Sequence, residues 1–157
     1  MRKVLFLCIK NSSRSQMAEA ILNSKAGDKF QAYSAGSRPV EKINPYAVKV
    51  MEEVNIDISN QTPKSAEEYL DIDFDFVITL CDKMKEECPN FPGNPIVAHW
   101  GMPDADEIQG NEEGKLKNFR KTRNEILKRI ELFINLPMDK LDRIAIKNMT
   151  KEIGITK

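Results

Sequence analysis

The chain has 157 residues, and its 24 lysines and arginines are balanced by 24 aspartates and glutamates. Nothing global therefore draws it to nucleic acid or to an anionic membrane, and any anion site has to be local. The length suits one domain with a continuous core. The apolar start, Val4 to Leu7, is far shorter than a membrane span and does not read as a signal peptide. Three cysteines, Cys8, Cys81 and Cys88, are an odd number with no export signal; reduced thiols in a cytoplasmic protein are the expectation.

Lys3 to Cys8 is a short apolar run that stops at polar residues, the form of a strand buried on both faces in a parallel sheet. Arg14 to Ala26 reads as a helix with Met17, Ala20, Ile21 and Ser24 on one face and Gly27 as its stop. Phe30 to Ser34 is a second strand. Pro45 to Val54 is a second helix, capped by Asn44. Phe74 to Cys81 and Pro95 to Trp100 give a third and a fourth strand. This alternation predicts an α/β fold with a four-stranded parallel sheet flanked by helices, where ligands sit beyond the carboxyl ends of the strands. Cys8, Cys81 and Trp100 all fall at such ends. Asp104 to Gly114 reads as one long mobile loop. Glu113 to Leu136 follows as an amphipathic helix through Leu116, Phe119, Ile126, Ile130 and Phe133. After Pro137, Met138 to Ile153 reads as an extra C-terminal helix with Leu141, Ile144, Ala145 and Met149 on its apolar face. Residues 1–136 are thus the expected domain, and 137–157 a helical extension packed on or beside it.

The stretch "CIKNSSRS" lies between the first strand and the first helix. A loop there is an anion cradle, because the first helical N–H groups are unpaired and the helix dipole is positive. The same field stabilises a thiolate at Cys8, and Arg14 offers a bidentate fork for a tetrahedral oxyanion. Lys10, Asn11, Ser12, Ser13 and Ser15 are the expected loop and oxyanion-binding residues. In isolation, Cys8 and Arg14 would read as a buried cysteine and a solvated arginine; their place between strand and helix argues for a site. Lys10 adds a cation at the rim, and a positive φ there would strain it.

Cys81 and Cys88 are two helical turns apart, about 10 Å at the helical rise. A disulfide needs Cα atoms within roughly 7 Å, so bridging them requires the segment to unwind. That suits a redox switch better than a structural staple.

The loop resembles the active-site loop of the low-molecular-weight protein tyrosine phosphatases and of the arsenate reductases that share their fold. The C-x5-R-S pattern falls on Cys8, Arg14 and Ser15, and "VITLC", "ECP" and "HWG" resemble the thioredoxin-coupled reductases from Lys3 to about Pro137. Phosphatases usually follow R-S with proline and reductases with glutamine; Gln16 agrees with the latter. The resemblance implies that Cys8 attacks arsenate, with Arg14 and the loop amides on the oxyanion, Asn11 bracing the loop and Ser15 bonding the thiolate. Cys81 would then attack Cys8 and release arsenite. Cys88 would resolve the Cys8–Cys81 disulfide, and thioredoxin would reduce the Cys81–Cys88 bridge. The acid aligns on Asp104, with Asp106 nearby and Ala105 where the family has proline. Phosphate and sulfate are expected competitors. No cofactor, nucleic acid or membrane is called for.

Asn11, Glu19 and Ser34 match part of a potassium site found in some of these reductases, but Lys64 replaces a further carboxylate, so no metal is expected. His99 reads as a structural strand-end residue and Trp100 as packing. Two rivals stand beside arsenate reduction. One is phosphomonoester hydrolysis at Cys8, with water attacking the adduct. The other is a non-catalytic thiol sensor of phosphate-like anions.

Overall fold

A computed structural model describes residues 1–107 and 110–155 of the chain. Four strands form one parallel sheet: β1 (Arg2–Cys8), β2 (Phe30–Gly36), β3 (Phe76–Thr79) and β4 (Ile96–His99), in the order β2-β1-β3-β4. The chain leaves β1 toward β2 and later returns to β3 on its other side. The strand order therefore reverses between β1 and β3, and a crevice opens at their carboxyl ends. The register puts Cys8 opposite Gly36, Leu7 opposite Thr79, and Thr79 opposite His99, so the predicted strand-end residues lie at one level.

One face of the sheet carries α1 (Arg14–Ala26), α2 (Pro45–Glu52) and α4 (Glu112–Ile134), packed over Phe6, Ile78, Phe119 and Phe133. The opposite face is smaller. It packs Leu5, Leu7, Val77 and Phe91 near α3 (Asp82–Glu87) and a 3-10 turn at Ala66–Tyr69. Burying both faces explains why β1 reads as a continuous apolar run rather than an alternating one. Gly36 lets β2 close against the β1–α1 loop: a Cβ there would collide with the Ile9 carbonyl, and the Arg38 amide donates to that oxygen at 2.9 Å. No helix among the described residues is long and apolar enough to cross a membrane.

Two expectations change. The helix predicted over Met138–Ile153 is a 3-10 turn, Met138–Lys140, followed by α5 (Arg143–Ile153). Asp142 breaks the run, because its carboxylate caps the new helix by accepting from the Ala145 amide at 2.8 Å. The core-facing side of α5 is then Ile146, Thr150 and Ile153, whereas Ile144 and Met149 point outward at 71% and 38% exposure. The helix packs on β4 and α4. The long loop predicted from Asp104 to Gly114 is also shorter, since Ala105–Glu107 is a 3-10 turn and α4 begins at Glu112. Residues 108 and 109 of that loop lie outside the described residues.

Candidate active site

The β1–α1 loop is shaped by Asn11, which is fully buried in the left-handed region at φ 52°. Asparagine tolerates that conformation better than most residues. Its Nδ2 donates to Ser15 Oγ at 2.7 Å, while Oδ1 accepts from the Lys64 amide at 2.8 Å and from Gln16 Nε2 at 2.9 Å. The positive φ thus falls on Asn11 and not on Lys10, which stays exposed at the rim. Ser15 accepts from Asn11 and keeps its own proton to donate. The Ser12 carbonyl accepts from the Asn44 amide at 2.9 Å, tying the loop to the cap of α2. Ser13 precedes α1 without capping it through its hydroxyl, which leaves the positive end of that helix to the loop.

Sequence reasoning misses one strap behind this loop. Gln61 Nε2 donates to Gln16 Oε1 at 2.6 Å, and Gln16 Nε2 reaches the Thr62 carbonyl at 3.0 Å. Segment 53–65 has no periodicity to mark it. The available signal is Gln16 itself, a glutamine beside a buried loop whose amide has to find partners.

Arg14 is 8% exposed. Its Nη1 donates to the Met102 carbonyl at 2.9 Å, and Nη2 lies 3.7 Å from Asp104 Oδ2. Its Nε is buried with no hydrogen-bond partner among the described residues. Of the two candidate acids, Asp104 faces Arg14 with a side chain 12% exposed, and Asp106 points to solvent. Asp104 Oδ1 accepts from the Asp106 amide at 3.0 Å, and the buried Ala105 opens the 3-10 turn where proline was the expectation.

Cys8 and Cys81 are both buried and free, and their sulfurs are in hydrogen-bond contact. A hydrogen bond from Cys8, aided by the Met84 and Ile9 amides and the Arg14 charge, brings the Cys81 thiol down to about 6 against the opposing effect of burial. Cys8 is pushed up by that same hydrogen bond and by burial, although Arg14 and the Ile9 amide pull the other way. The hydrogen bond and burial therefore work against the expected thiolate at Cys8, and the charged form is favoured at Cys81 instead.

Cys88 stands apart. It and Cys81 are the caps of α3, both with extended backbone, so the helix between them has only six residues. Cys88 is half-buried against the Pro89 carbonyl, and burial raises its thiol. His99 bridges the two ends of this region, with Nδ1 2.8 Å from Thr79 Oγ1 and Nε2 3.0 Å from Asp82 Oδ1, at the first turn of α3. Behind the loop, Ser34 Oγ donates to Glu19 Oε1 at 3.3 Å; burial raises the Glu19 carboxyl and the Lys64 charge lowers it. A cavity of about 290 Å³ opens onto Arg14, Cys81, Asp104, Lys10 and Lys83.

A cysteine-bearing loop of this kind between a strand and a helix has a counterpart in known proteins. The model of the low molecular weight phosphotyrosine protein phosphatase family matches residues 3–145. The chain belongs to this family. Within it, the chain is similar to the arsenate reductase of Halalkalibacterium halodurans, 43% identical over 130 residues that cover 83% of this chain and 93% of that protein. A solved arsenate reductase in the oxidized state is 34% identical with a TM-score of 0.70, covering 83% of this chain and 95% of its own. The thioredoxin-dependent arsenate reductase of Corynebacterium glutamicum is 30% identical with a TM-score of 0.57, over 84% of this chain and 63% of its own. These likenesses put the chain with the arsenate reductases of the family.

Proposed function

We propose that the chain reduces arsenate to arsenite with three thiols and is recycled by thioredoxin. The observation that carries this reading is the contact between the Cys8 and Cys81 sulfurs beside Arg14. Arsenate enters the loop and meets Arg14 and the amides at the start of α1. As the Cys8 sulfur attacks arsenic, its proton passes to Cys81, and Asp104 protonates the departing oxygen as water. Cys81 then passes that proton to the Asp104 carboxylate left by the first step and attacks the Cys8 sulfur. The S–S bond forms, the S–As bond breaks, its electron pair stays on arsenic, and arsenite leaves. Cys88 attacks Cys81, freeing Cys8 as a thiol, and α3 unwinds to let the Cys81–Cys88 bridge close. Thioredoxin supplies the two electrons that reopen it.

The test is arsenate-dependent NADPH oxidation with thioredoxin and thioredoxin reductase, the rate without arsenate subtracted. Sustained turnover is the expected result. A folded protein with three free thiols and no turnover would contradict the reading and favour phosphomonoester hydrolysis, which the same loop, arginine and acid support when water replaces Cys81 as the second nucleophile.

A further inference from the structure

The segment that follows β4 supplies both protein partners of Arg14, the Met102 carbonyl and the Asp104 carboxylate. Its first residues are held from behind by α5. Trp100, 1% exposed and stacked edge-on against Phe133, donates its indole N–H to the Thr150 carbonyl at 2.9 Å. Thr150 is within the last four residues of α5, whose carbonyls have no helical donor, so the indole satisfies a group the helix leaves open. Arg129 of α4, 4% exposed, adds a fork: Nη1 donates to the Gly101 carbonyl at 3.2 Å and Nη2 to the Gly154 carbonyl at 3.3 Å. A cation there also complements the negative end of the α5 dipole. Gly154 lies so close to β4 that a Cβ would collide with the His99 carbonyl. Backbone on both sides of the joint is thus fixed by one buried guanidinium and one indole.

We propose that Arg129 and α5 form a clamp that positions the Arg14–Asp104 limb of the oxyanion site. Arg129 is a positioning residue, acting through Gly101 on the adjacent Met102 carbonyl. The proposal rests on the reading of Arg14 as the oxyanion ligand. It assigns a role in the site to the C-terminal helix, otherwise simple cover for the core.

The test uses the full chain and inorganic phosphate as the probe, with protection of Cys81, which lines the cavity beside Arg14 and Asp104, from iodoacetamide as the readout, measured by peptide mass spectrometry. In Arg129→Met, which keeps an apolar stem and removes the fork, half-protection should need about tenfold more phosphate, since small misplacements of binding groups are costly. Arg129→Lys should recover part of the loss. Iodoacetamide labelling of Cys88, whose thiol is shifted by burial and stands apart from Arg14, should proceed at the wild-type rate in both variants. If Arg129→Met does not fold, Trp100→Phe keeps an aromatic ring against Phe133 while removing the N–H together with part of the indole, and it should shift protection in the same direction. Unchanged protection in a folded variant sinks the clamp alone. Lost protection together with faster labelling of the half-buried Cys88 means general loosening and also overturns it. Absence of phosphate protection in the wild-type protein overturns the oxyanion reading, and the clamp with it.

Discussion

Replacing Cys8 by alanine tests the hydrogen bond between the two sulfurs directly. The Cys81 thiol is brought to about 6 from an ordinary 9.0, and the largest cause is the hydrogen bond it receives from Cys8. The Met84 and Ile9 amides and the Arg14 charge contribute less, and burial opposes them all. At pH 7 a thiol titrating near 6 is roughly nine-tenths thiolate, and one near 9 roughly one-hundredth, a difference of about ninetyfold. The rate at one pH hides most of this. A more basic thiolate is intrinsically more nucleophilic, and with a Brønsted slope of about 0.45 the net fall in reactivity is only ~4-fold. The midpoint is therefore the quantity to measure: iodoacetamide labelling of Cys81 from pH 4 to pH 10, read peptide by peptide. In the wild-type protein, labelling should rise through a midpoint near 6; in Cys8→Ala, the midpoint should move up toward the ordinary thiol range. A midpoint that stays near 6 in the variant would assign the effect to Arg14 and the amides. One near 9 in both proteins would refute that hydrogen bond altogether.

Further outcomes follow from the same geometry. Cys81→Ser should abolish arsenate turnover while leaving any phosphomonoester cleavage in place, and loss of both would make Cys81 a structural residue. Asp104→Asn should slow arsenite formation in a single turnover by roughly a hundredfold or more, the size of a lost general acid; an unchanged rate would mean that the acid lies elsewhere. Asn11→Ala puts a Cβ residue without a compensating amide into the left-handed region and leaves the Ser15, Gln16 and Lys64 partners behind. Urea unfolding should show a loss of about 2–4 kcal/mol, and wild-type stability would contradict the bracing role.

The sheet and α1 were legible because their signals are local and strong: Cys8 ends an apolar run, and α1 spans Arg14 to Ala26 as the periodicity predicts. The C-terminal helix was legible in existence but not in face. Ile144 and Met149 are the conspicuous apolar residues of α5, yet Thr150 takes the buried position, its hydroxyl returned to the Ile146 carbonyl at 2.7 Å. A threonine that satisfies itself in this way carries no hydropathy signal. Cys8 and Arg14 could be placed from the pattern of the chain, one ending β1 and the other opening α1, whereas Asp104 comes from the family resemblance. The Gln61 strap, the Arg129 fork and the hydrogen bond between two sulfurs could not be placed in this way. Each joins residues 25 to 73 positions apart, or depends on which of two thiols is the more buried, and neither distance nor burial is written in spacing.

On the proposed relay, three thiols of one chain carry two electrons to arsenate in a fixed order. The most direct measurement adds one equivalent of arsenate to the fully reduced protein without thioredoxin, then counts arsenite and maps disulfides by mass spectrometry. The account predicts one arsenite per chain, a Cys81–Cys88 bridge in the wild-type protein, and a trapped Cys8–Cys81 bridge in Cys88→Ser. Arsenite without either bridge, or three free thiols and no arsenite, would contradict it.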